Sequence, residues 1–84
     1  MNYLERKTGR YHDMLEAALD SVEDVEDSQQ ARQTLEMARA YLEDGEHFES
    51  EGEHAEALAA YSYGHGWLDS GARHGDYDVE TEDL

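Results

Sequence analysis

The sequence predicts an all-α fold, a three-helix antiparallel bundle, and three observations predict it. Apolar and small residues recur at spacings of three and four along most of the chain instead of alternating, which is the period of a helix face and not of a strand. Proline and isoleucine are absent and valine is sparse, so the residues on which strands draw are missing. Capping residues near position 28 and a glycine at 52 interrupt the pattern twice, which divides it into three segments.

The first helix opens at Asn2, with Glu5 three residues on as in a capping box. Leu4, Thr8, Tyr11, Leu15, Ala18, Val22 and Val25 then recur on one face. The acidic run Glu23 to Asp27 breaks this stripe, and Asp27 or Ser28 stands where a second helix needs a cap. Ala31, Leu35, Ala38, Leu42, Gly45 and Phe48 continue the spacing to Gly52, a residue suited to a left-handed helix end. The third stripe is Ala55, Leu58, Tyr61, His65, Leu68 and Ala72, closed by Gly75 with Arg73 and His74 in the last turn, where cations are favoured. Residues 1–75 therefore read as one domain, and 76–84, with five acidic groups, as a flexible tail.

Charge narrows the function classes. Six basic residues against 22 acidic ones give a formal net charge of −16, which repels phosphate backbones and anionic membranes and argues against nucleic-acid or membrane partners. One lysine, no isoleucine and abundant Asp and Glu look like the composition of proteins from salt-loving archaea, where molar salt shortens the Debye length to about 3 Å. The absence of cysteine removes disulfides, thiolate metal sites and cysteine nucleophiles. With no signal peptide and no run of about 20 apolar residues, the expected location is the cytoplasm.

Glycines at 64, 66 and 71 lie inside the third helix. Each sacrifices roughly 1 kcal/mol relative to alanine in a domain whose total stability is about 5–15 kcal/mol. Close helix contact at Gly64 and Gly71 is the expected compensation.

Tyr41, Gly45, Phe48, the turn Gly52-Glu-His-Ala-Glu-Ala-Leu58, Tyr61 and Gly64 resemble one tetratricopeptide-type helical hairpin. No second copy follows, so a repeat array is not expected. Over nearly the whole chain, Arg10-Tyr11, Ala38 with Tyr41, the Gly52–Leu58 turn and above all His65-Gly-Trp-Leu-Asp-x-Gly-Ala-Arg73 are similar to a small archaeal family catalogued as Domain of Unknown Function 357. The resemblance implies a compact three-helix fold, an archaeal source and no established activity.

The candidate binding residues are Arg10, Tyr61, His65, Trp67, Asp69 and Arg73. His65, Asp69 and Arg73 form a ladder with one-turn spacing that could orient a base or satisfy a buried imidazole. Tyr63 and Trp67 form an aromatic pair off the main stripe, suited to a second packing face or an exposed patch. Arg6, Lys7 and Arg10 crowd the first turns of a helix, against its dipole, which suits an anion or ion pairs with nearby carboxylates. Of the five histidines, only His65 with Asp69 is taken as a one-turn pair, so no metal site, cofactor or catalytic residue is expected. The sequence thus reads as a non-catalytic interaction module with a protein partner or a second copy of itself. The alternative is a small anionic or planar ligand near Arg10, Tyr61 and His65. Helix geometry places Trp67 about 200° around from His65, on another face.

Overall fold

The computed structural model describes residues 2–80. Three helices follow in order, α1 Tyr3–Asp20, α2 Gln29–Ser50 and α3 His54–His74. Both expected N-caps form. The Asn2 carboxamide oxygen accepts from the Glu5 N–H at 2.8 Å while its amide donates to Glu5 Oε1 at 3.2 Å, and Ser28 Oγ accepts from the Ala31 N–H at 3.1 Å. Gly52 and Gly75 have φ of +77° and +91°, left-handed values that glycine adopts without strain.

α3 is the central element. It packs extensively on α2, less on α1, and α1 and α2 touch only sparsely. Tyr61 and Leu68 of α3 and Leu15 of α1 are the largest fully buried apolar side chains of the core, with Ala18, Leu35, Ala38 and Ala57 around them. Glycines permit this packing. A Cβ on Gly64 would stand 2.7 Å from Leu15 Cδ2 and 3.2 Å from Tyr41 Cβ, and one on Gly45 would fall within the Tyr61 ring. Gly71 is equally hemmed in, by Tyr77 and by Thr34 of α2.

Three details differ from the sequence reading. α1 ends at Asp20, so Val22 and Val25 lie outside it, and Val25 is exposed. Ala55 is exposed, and the buried face of α3 runs instead through Ala57, Ala60, Tyr61, Gly64, Leu68 and Gly71. Its small residues lie innermost because two helices approach it closely.

Packing also continues past Gly75, where the tail was expected to begin. Tyr77 is 2% exposed, and its hydroxyl donates to the Leu68 carbonyl at 2.9 Å. Burial, with the charges of Asp76 and Asp69, pushes its phenol pKa up to about 12. Glu23 and Asp78 exchange backbone hydrogen bonds of 2.9 and 2.8 Å, and the Glu26 N–H donates to the Asp76 carbonyl at 2.7 Å. The two most acidic segments therefore lie side by side. Residues 81–84 of the expected tail lie outside the described residues.

Candidate functional site

The six candidate residues do not converge. Tyr61 is fully buried and donates its hydroxyl to Glu49 Oε1 at 2.5 Å. Burial first, then that hydrogen bond and the surrounding carboxylates, push its phenol well above the ordinary range. His65 is half-buried on the α1 side, its ring edge-on to Tyr11 at 6.2 Å. Burial lowers its pKa, with the Tyr11 backbone acting in the opposite direction, and its Nε2 is buried without a hydrogen-bond partner. The ladder forms only in its second half. Arg73 Nε meets Asp69 Oδ2 at 2.8 Å, both exposed, and no His65–Asp69 pair occurs among the described residues.

Trp67 lies on the outer face of α3. Trp67 and Tyr63 are 42% and 63% exposed, and they flank a shallow open groove of about 350 Å³ over Ser62, Gly66 and Ser70. The protein measures 41 × 23 × 16 Å, only about two helix layers in its thinnest direction, so one shared core forms and this face remains in solvent. A Cβ on Gly66 would meet nothing within 4 Å. Unlike Gly64 and Gly71, Gly66 has no compensating contact among the described residues.

Arg10 belongs to a different surface. With Tyr3, Arg6, Lys7, Tyr11 and Met14 it lines a groove of about 380 Å³ along α1. The Lys7 ammonium sits 5.7 and 5.9 Å from the centroids of Tyr3 and Tyr11, within cation–π range.

A further cluster escaped the sequence reading. His12 of α1 places Nε2 2.8 Å from Glu46 Oε2 of α2 and 3.9 Å from Glu16 Oε2, while Nδ1 lies 2.9 Å from Asp13 Oδ1. Burial acts to lower the His12 pKa, but the hydrogen bonds to Asp13 and Glu46 and the charges of Glu16 and Glu46 outweigh it, leaving it raised. His65–Asp69 is therefore not the one-turn pair that matters, since His12–Glu16 and His47–Glu51 share its spacing. The one-turn spacing was a visible signal. The decisive neighbour, Glu46, lies 34 positions away and only folding selects it.

No helix among the described residues is long and apolar enough to cross a membrane. Over residues 10–77 the chain matches the family described as Protein of unknown function (DUF357), and it belongs to that family. No curated protein and no solved structure matches it.

Proposed function

We propose that this protein is a small non-catalytic interaction module, in the cytoplasm of a salt-loving archaeon, that self-associates through the outer face of α3. The observation that carries this reading is the uncharged, aromatic-flanked groove centred on Gly66 in a chain of net charge −16. Ala59, Ser62, Tyr63, Gly66, Trp67 and Ser70 are all exposed and uncharged; Asp69 at the edge is paired with Arg73. Two like-charged molecules repel across any acidic surface, so a face without carboxylates suits a second copy. A basic partner would instead be drawn to the exposed acids of α2, such as Glu36, Glu43 and Asp44. A two-fold, antiparallel pairing of α3 helices would cross at Gly66, where the missing side chain lets backbones approach. Each Trp67 would then cover the partner's serines, burying an aromatic of the kind enriched at interface centres.

The test is light scattering coupled to size exclusion, over a concentration series at molar KCl. A dimer is expected, with Trp67 emission shifted to the blue on association, and Trp67→Ala or Gly66→Lys should return the chain to monomer. A monomer at every concentration, or a dimer indifferent to both substitutions, refutes the reading.

The α1 groove supports a second reading, an accessory role in binding a small anion. Three of the six basic residues of the chain line it, and Tyr3 and Tyr11 offer planar contacts. Tyr61 plays no part in it because its side chain is buried against Gly45 and Glu49 of α2. Pyrophosphate binding by calorimetry that is lost in Arg10→Gln is the expected result; absence of heat would remove this reading.

A further inference from the structure

We propose that His12, Glu16 and Glu46 form a binding site for a divalent first-row transition-metal ion that ties α1 to α2. One donor atom from each lies within 4.8 Å of the other two. A tetrahedral ion with bonds of about 2.1 Å separates its donors by about 3.4 Å. The observed Nε2 separations of 2.8 Å to Glu46 and 3.9 Å to Glu16 straddle that value. Both glutamates are about half exposed, so small rotations of their side chains close the difference.

The hydrogen-bond inventory of His12 separates this cluster from an ordinary acidic patch. Each ring nitrogen faces a carboxylate oxygen, Nδ1 toward Asp13 and Nε2 toward Glu46. Carboxylates only accept, and a neutral imidazole has a single N–H. One contact is therefore lone pair against lone pair until Nε2 takes up either a second proton, which the surrounding carboxylates favour, or a metal ion, and the two compete for the same lone pair. If Nδ1–H donates to Asp13, the free Nε2 points between Glu46 and Glu16. That is the arrangement of metal-bound histidines, whose second nitrogen donates to a carboxylate that fixes ring and tautomer.

The ring is also held by rigid structure. The side chain of His12 is 19% exposed, and its imidazole packs edge-on to Tyr61 at 5.4 Å. Tyr61 is itself fixed by Glu49 and by its seat against Gly45. A site whose nitrogen donor is preorganised loses less on binding than three mobile surface chains. One imidazole with two carboxylates suits zinc, cobalt or manganese; magnesium and calcium prefer all-oxygen sets. Water would complete the coordination shell. The inference is independent of the α3 face, which contributes no ligand.

The experiment uses the full chain, stripped with chelator and titrated with zinc, thermal unfolding being followed by circular dichroism, and with cobalt as an absorbance probe of nitrogen ligation. One saturable equivalent, a rise in the unfolding midpoint and a shift of the His12 ring resonances are expected. His12→Gln and Glu46→Gln should each weaken zinc by at least about tenfold, whereas Glu36→Gln, the same charge change elsewhere on α2, should not. Glu16→Gln, at an exposed position, provides the same test should His12→Gln fail to fold. Zinc binding that is unsaturable, or equal in the site variants and Glu36→Gln, would mean that the acidic surface merely holds a diffuse ion atmosphere, and would overturn the proposal.

Discussion

Replacing Gly64 by alanine should destabilise the protein by about 1–2 kcal/mol, although helix propensity alone favours the change by roughly 1 kcal/mol. The added Cβ would stand 2.7 Å from Leu15 Cδ2, 3.2 Å from Tyr41 Cβ and 3.4 Å from the Ala38 carbonyl oxygen. Leu15 is fully buried in the core with Ala18, Leu19 and Tyr61, so its methyl yields only by disturbing neighbours. Tyr41 Cβ is bonded directly to the backbone and moves only with α2. Overpacking of this kind costs about 1–3 kcal/mol; taking the upper half of that range and subtracting the propensity gain leaves about 1–2 kcal/mol. Gly66→Ala is the internal control. Nothing lies within 4 Å of its Cβ, so it should stabilise by up to about 1 kcal/mol, and two like substitutions two residues apart should have opposite signs. Urea unfolding followed by circular dichroism, in solution dilute enough to keep the chain monomeric, measures both. Thermal unfolding of the same samples should shift its midpoint by about 4–8 °C per kcal/mol for a domain of this size. A Gly64→Ala variant as stable as wild type would refute the close-packing argument.

Three other outcomes follow from the structure. Tyr77→Ala should cost about 3–4 kcal/mol through the cavity left beside Gly71 and Thr34; unchanged urea unfolding would mean that residues after Gly75 contribute nothing. Because the acidic 23–27 and 76–80 segments are hydrogen-bonded side by side, raising KCl from about 0.1 to 2 M should screen their repulsion and raise the unfolding midpoint; equal midpoints would remove the high-salt reading. For His65, burial depresses the folded pKa below its ordinary value of 6.5, so the unfolded chain takes up the proton first as pH falls. Its contribution is complete above about pH 6.5 and is lost as pH falls through the folded value, while His12 acts with the opposite sign. The comparison is therefore wild type against His65→Gln, with the pKa read by NMR, and a His65 titration at or above 6.5 would contradict the burial argument.

The number of helices, the caps at Asn2 and Ser28 and the left-handed ends at Gly52 and Gly75 were legible in the sequence, because caps, left-handed glycines and a period of 3.6 act over a few residues, whereas Gly64 and Gly71 signalled close contacts without saying which side chains fill them. The same local logic overextended α1 to Val25, since a periodic stripe does not reveal that Ser21 caps the helix and turns its hydroxyl to the Ala18 carbonyl and the Glu80 N–H. Tertiary structure alone decided the fate of Tyr77, one aromatic in an acidic run with no periodicity to mark it. Its socket is assembled from Gly71 on one helix and Thr34 on another. It decided likewise that His12 meets Glu46 out of 22 acidic residues, because the axial register of α1 against α2 selects the pair. And it left Trp67 in solvent: helical spacing separates it from His65, but only the packing of α3 against α1 and α2 determines which of their two faces is covered.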